Sequence, residues 1–192
     1  MYDPKQYWET RGRNYQHSED WHEMENLHYF VKDLIGPEDK MLEVGSGYGR
    51  IYEYLNSVGF ANSSNFSMCD FTDSFINTCA EKTGIQPTKW DGQHLPYADS
   101  SFELVISFSV FLHVPHDKIR EALKEHIRVS SKYVFIATFY TDSCTWPLSP
   151  HMFLHNYPLL FSELGLNVVK EIKCHLDNGN YLRRNWMLEK VG

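Results

Sequence analysis

A chain of 192 residues, 42% hydrophobic and 22% charged, can bury one sizeable core, so a single domain is expected. Its formal net charge of −7 argues against general affinity for nucleic acid or anionic membranes, both of which favour basic surfaces. Cys69, Cys79, Cys144 and Cys174 form no CxxC pair, and no run reaches the ~18–20 apolar residues of a membrane span. With no signal-like apolar core at the N-terminus, the expectation is a soluble, cytoplasmic protein without a disulfide scaffold or zinc site.

In chain order, Tyr2, Tyr7, Trp8 and Tyr15 stand among Arg11, Gly12 and Arg13, a mixture too apolar for a disordered tail. Residues 1–37 are expected to fold back as a helical lid, with Tyr15 and Arg11 over a ligand. Asp20-Trp21-His22-Glu23 has the form of a capping box. Leu27, Phe30, Val31 and Leu34 then follow at helical spacing, and Gly36-Pro37 stops the helix. Met41–Val44 reads as a buried strand. Gly45, Gly47 and Gly49 form a turn, and a helix follows through about Val58, with Ile51, Tyr54, Leu55 and Val58 on one face.

Asn65–Asp70 reads as a second strand, and Thr72 as the N-cap of a helix closed by Gly84. Pro87–Trp90 makes a short third strand, and Phe102–Phe108 a fourth, continuously apolar as buried parallel strands are. Pro115 is expected to open a helix through about Val129, before a fifth strand at Tyr133–Phe139. A long loop (141–157) and a short helix precede two extended runs around Asp177-Asn178-Gly179-Asn180, a hairpin signal. The fold class expected is α/β: a doubly wound, Rossmann-like, mostly parallel seven-stranded sheet with a reversed C-terminal hairpin strand at its edge. Residues 38–139 would form the cofactor-binding core and 140–192 the substrate loop and hairpin.

Strand, glycine turn and helix start form a crevice suited to an adenine cofactor. A dinucleotide fingerprint wants glycine or alanine at position 50, where this chain has Arg50. Glu43, two residues before the first glycine, would repel a pyrophosphate but suits a cofactor presenting an ammonium group. That favours S-adenosylmethionine over NAD.

Glu43-Val-Gly-Ser-Gly-Tyr-Gly49 resembles the first motif of the class I S-adenosylmethionine-dependent methyltransferases, and the resemblance extends over about residues 38–139. It implies that Glu43, Gly45, Ser46, Gly47 and Gly49 curve around the methionyl part. Asp70, followed by Phe71, would hold the ribose hydroxyls; Asp91, Gly92 and Gln93 would form the adenine turn. Ser107-Phe108-Ser109-Val110-Phe111-Leu112-His113-Val114 resembles the segment lining the cofactor and opening toward the substrate, with Ser107 and Phe108 the cofactor-side residues. Tyr7-Trp8-x-x-Arg11-Gly12-x-x-Tyr15 is similar to the leading segment of many small methyltransferases, whose residues cover the cofactor.

The expected reaction is direct displacement of the methyl group by an O or N nucleophile of a small molecule, leaving S-adenosylhomocysteine. Alignment alone supplies much of such a rate enhancement, and a base is optional. His113 is the candidate base, because histidine titrates near neutral pH. Tyr7, Trp8, His113, Trp146, His151 and His155 are candidate substrate-pocket residues; no metal site is expected. A protein or RNA methyltransferase, a non-catalytic cofactor-binding subunit and a Rossmann oxidoreductase are the alternatives, the last disfavoured by Glu43 and Arg50.

Overall fold

The computed structural model describes residues 3–13, 22–140, 149–175 and 182–190. Helices α1 (Pro4–Arg13) and α2 (His22–Val31) precede strand β1 (Met41–Val44) and helix α3 (Arg50–Ser57). Strand β2 (Phe66–Asp70), helix α4 (Asp73–Thr83) and the short β3 (Thr88–Lys89) follow. Strand β4 (Phe102–Phe108) runs into a 3-10 turn at Phe111–His113, then helix α5 (Ile119–Val129) and strand β5 (Ser130–Phe139). Helix α6 (Tyr157–Glu163) and strands β6 (Leu166–His175) and β7 (Leu182–Lys190) close the chain.

The seven strands form one sheet in the order β3-β2-β1-β4-β5-β7-β6. The first five are mutually parallel, and β7 lies antiparallel between β5 and β6. The reversed strand is therefore interior and not at the edge: β7 takes ladder bonds from both neighbours, leaving β6 outermost.

Both faces of the sheet are covered, which is why the central strands are apolar at nearly every position. Met41, Leu104, Ile106, Phe135 and Met187 pack under α2 and α3, while Val134, Ile136, Trp186 and Leu188 pack under α5 and α6. Phe30 of α2 is fully buried, edge-on to Phe135 with ring centroids 5.4 Å apart. Trimming such a ring to alanine costs about 3–5 kcal/mol.

Several local expectations shift. Helix α2 ends at Val31, before Leu34, and the proposed capping residues Asp20 and Trp21 lie outside the described residues. In α3 the buried side chains are Ile51, Tyr52 and Leu55, whereas Val58 is exposed. The α5 helix begins at Ile119, because the 3-10 turn and the segment after it occupy the residues up to Lys118. Thr72 has the extended backbone of an N-cap but makes no side-chain cap bond; its hydroxyl bonds Asp70 instead. The hairpin tip at 177–180 lies outside the described residues.

Candidate active site

The chain leaves β1 for β2 on one side and β4 for β5 on the other, so a crevice opens beyond the carboxyl ends of β1 and β4. A cavity of about 530 Å³ occupies it.

One end is made by the glycine turn and the tip of β2. Gly45 and Gly47, with φ of 75° and 55°, border the cavity together with Ser46. A Cβ on Gly45 would come within 2.5 Å of Val110, whereas one on Gly47 would meet nothing within 4 Å. Gly47 therefore presents bare backbone to open space. Gly49 is outside the lining; its role is close packing, since a Cβ there would lie 2.5 Å from Thr83.

Asp70 is buried at the tip of β2. One carboxylate oxygen accepts from the Gly47 amide at 3.0 Å, and the other from the Thr72 amide and hydroxyl at 2.9 Å each. Burial raises its pKa, and these donors oppose the rise. The oxygen bonded to Gly47 keeps a further acceptor site. Glu43 is also buried, and its Oε2 has no hydrogen-bond partner. Burial pushes its pKa well above the usual carboxylate range; Arg50 opposes the shift and Asp70 adds to it.

Phe71 and Gly92 also line this end. Asp91 and Gln93 do not: the exposed Asp91 carboxylate accepts from the Gln93 and His94 amides at 2.7 Å each, shaping the turn. Those amides hold its pKa down. Ser107 is fully buried in β4 outside the lining, and its hydroxyl has no partner. Phe108 does reach the cavity, with the guanidinium carbons of Arg50 and Arg183 at 5.0 and 5.1 Å from its ring centroid.

The other end is assembled from distant segments. His113, on the 3-10 turn, has Nδ1 2.8 Å from the His151 carbonyl. A carbonyl can only accept, so Nδ1 carries the proton and Nε2 holds the lone pair. The Phe153 amide donates to the Leu112 carbonyl at 2.7 Å, fixing the loop to the turn. Trp8 stands edge-on to His113 at 4.6 Å, and Tyr7 stacks on His151 at 4.5 Å with its hydroxyl 3.3 Å from His151 Nε2. Burial drives the His113 pKa down to about 4, opposed by the bond to the carbonyl. His113 is thus neutral at physiological pH, correcting the expectation that it titrates near neutrality. His151 is lowered too, by burial and then by the Arg11 charge.

Helix α1 is held over the cavity by its other face. The Glu9 carboxylate accepts from the Asp73 amide at 2.8 Å and the Ser74 amide at 3.2 Å, supplying the cap that Thr72 does not. Gly12 permits the approach, since a Cβ there would lie 2.4 Å from the Ser74 hydroxyl oxygen. Pro4, Tyr7, Trp8 and Arg11 consequently line the cavity.

His155 turns away from the site. It is buried, bonded through Nε2 to the Val114 carbonyl at 2.9 Å, and packed on Tyr157. Tyr15 and Trp146 lie outside the described residues. Sequence reasoning missed Arg183, which is in the lining; Ser109, also in the lining, falls within the segment expected to line the cofactor. Ser109 takes φ of 58° just after β4 and accepts from Arg183 at 3.1 Å. Arg183 comes from β7, and only strand register tells which of its consecutive charged residues points inward. Among the described residues no group of three or more His, Cys, Asp or Glu could hold a metal ion. No helix among them is long and apolar enough to cross a membrane.

Sheet order, glycine turn and carboxylate at the tip of β2 define an α/β domain of the class I methyltransferase type. The sequence model of the methyltransferase domain matches residues 42–136, and the chain belongs to the S-adenosylmethionine-dependent methyltransferases. Comparison with curated proteins gives no match. Among solved structures, the chain is similar to magnesium protoporphyrin IX methyltransferase from Synechocystis PCC 6803 with bound S-adenosylmethionine. The TM-score is 0.74 at 12% identity, over 100% of this chain and 99% of that one. It is also similar to a S-adenosylmethionine-dependent methyltransferase from Aquifex aeolicus, with a TM-score of 0.63 at 16% identity, over 89% of this chain and 99% of that one.

The cofactor is S-adenosylmethionine, and the residues present fit it. The unpaired, buried Glu43 Oε2 is an acceptor suited to an ammonium group, and the open space at Gly47 lets a ligand approach the backbone.

Proposed function

We propose that the protein methylates an O or N nucleophile of a small molecule by direct displacement. The observation that carries this reading is a cavity of about 530 Å³ lined on one side by α1. Small-molecule sites commonly enclose about 300–1,000 Å³. In this reading Glu43, Gly45, Ser46 and Gly47 hold the methionyl part, Asp70 the ribose, and Phe71 and Gly92 the adenine side. S-adenosylmethionine brings the activated methyl group.

The chain's own contribution is placement. Tyr7, Trp8 and His151 form a partly apolar box, and His113 Nε2 accepts a hydrogen bond from the incoming O–H or N–H. A neutral imidazole of such low basicity orients the nucleophile more than it removes the proton early. Incubation with methyl-labelled S-adenosylmethionine and a metabolite extract, with the product identified by mass, tests the reading. A labelled small molecule supports it; label only in protein or RNA overturns it.

A further inference from the structure

The segment 151–155 lies along the turn that carries His113 and is tied to it at alternate residues. The His151 carbonyl accepts from His113 Nδ1 at 2.8 Å, the Phe153 amide donates to the Leu112 carbonyl at 2.7 Å, and His155 Nε2 donates to the Val114 carbonyl at 2.9 Å. The first two ties use the segment's backbone. The third is made by a side chain of the segment, at the end that enters α6.

His155 is itself firmly seated. It is 7% exposed, and its ring stands edge-on to Tyr157 at 5.6 Å. Tyr157 is fully buried, packs on Trp186 of β7 at 5.4 Å, and brings its hydroxyl 3.3 Å from that of Thr138 on β5. Asn156, the next residue, caps α6 by accepting from the Leu159 amide at 3.2 Å. The sheet and α6 thus fix this imidazole, and the imidazole fixes the turn at the residue after His113. His155 is not in the cavity lining, so its N–H serves the turn and not a ligand.

In a neutral imidazole, the bond made by one nitrogen decides which of the two holds the proton. The lone pair on His113 Nε2 therefore requires the His151 carbonyl to stand opposite Nδ1. That carbonyl belongs to the same short segment that His155 anchors.

We infer that His155 is a positioning residue for methyl transfer: through Val114 and the segment 151–155 it keeps His113 protonated on Nδ1, with the Nε2 lone pair free for the acceptor. This rests on the reading above in which His113 Nε2 meets the nucleophile, and adds what holds it in that state.

The test is two-bond proton–nitrogen correlation spectroscopy of the isotope-labelled full chain saturated with S-adenosylhomocysteine, the His113 signals being those lost in His113→Ala. The wild type should show His113 protonated on Nδ1 and His155 on Nε2. The opposite tautomer at either residue overturns the inference, whether or not a variant folds. His155→Phe keeps a ring against Tyr157 and removes the donor, so the Nε2-protonated form of His113 should appear. Transfer of labelled methyl into the metabolite extract should then slow roughly 10–100-fold, the scale of a small misplacement, with affinity for S-adenosylhomocysteine within a factor of two. His155→Gln, whose amide can still donate to the Val114 carbonyl, should restore both the His113 spectrum and the rate. An unchanged His113 spectrum in folded His155→Phe overturns the inference, as does a changed spectrum with wild-type transfer. Label confined to protein or RNA overturns the small-molecule reading, whereas the spectra, which need no acceptor, decide the role of His155 by themselves.

Discussion

The two ends of the cavity are built on opposite electrostatic plans. At the glycine end, carboxylates are buried and burial raises the pKa of Glu43 and Asp70. At the His113 end, imidazoles are partly buried and that burial lowers theirs. A group with a raised folded pKa contributes stability in acid that is lost as pH rises through that value; a lowered pKa does the reverse. The first end therefore costs stability near neutrality, and the second is at ease there. The former suits a cationic ligand that can repay the burial of an anion. The latter suits neutral contacts that orient a nucleophile.

The largest expected effect lies in acid. His113 and His126 are each held down to about 4, and the His126 ring lies 4.7 Å from Phe111, which begins the turn carrying His113. Unfolded imidazole titrates near 6.5, so their contribution is complete above that value and drains as pH falls toward 4, by up to roughly 3 kcal/mol each. Urea midpoints at pH 7.5 and 5 should separate clearly, and replacing His126 with Gln should narrow the gap. An unchanged gap would mean that His126 is not held neutral.

Next comes Asp70→Ala, expected to weaken S-adenosylhomocysteine binding by roughly 1.5–3 kcal/mol, the scale of hydrogen bonds to a charged group. Calorimetry decides, and full affinity would remove Asp70 from the cofactor. Glu43→Gln sharpens the contrast in one protein. Removing a carboxyl whose raised pKa costs stability above its ordinary range should raise the melting temperature at pH 7.5, while affinity for S-adenosylhomocysteine falls roughly tenfold. A variant that gained stability without losing affinity would show that Glu43 faces no ligand cation.

At the other end, His113→Ala should slow turnover by roughly tenfold or more while leaving cofactor affinity within a factor of two. In the wild type, kcat/KM should show no inflection between pH 6 and 8 assignable to this imidazole. Wild-type turnover in the variant would exclude His113 from the reaction. The smallest effect expected is for Glu9→Gln, about 0.3–1 kcal/mol of stability from a weakened helix-end contact. An unchanged melting temperature would show that this contact is fully replaceable.

The two ends also differed in how far they could be read from the chain. The glycine end is local: strand, turn and helix lie within ten consecutive residues, and Asp70 ends the next strand. Backbone conformation forces glycine at fixed positions, leaving a pattern in the sequence. Even there Asp91 is less legible than Asp70: its carboxylate accepts from the turn amides of Gln93 and His94, and an aspartate beside glycine serves a turn as readily as a ligand. The other end brings together residues near positions 8, 113, 151 and 183, each held by tertiary contacts. His151 was placed in the pocket and His155 with it; only the structure shows that His155 instead bonds the Val114 carbonyl. Arg183 could not be found, since the inward face of β7 depends on its pairing with β5 and β6.

Glu9 has a consequence at the opposite end of the cavity from its neighbours Tyr7 and Trp8. It grips the start of α4 at Asp73 and Ser74, directly after Thr72, which Asp70 fixes. The first helix is thereby fastened to the nucleoside side, although its rings face the acceptor side. A fusion or truncation that pulls on residues 4–13 will therefore register first as altered affinity for S-adenosylmethionine, whatever the acceptor present. By reciprocity, saturating cofactor should protect the amides of α1 from hydrogen exchange.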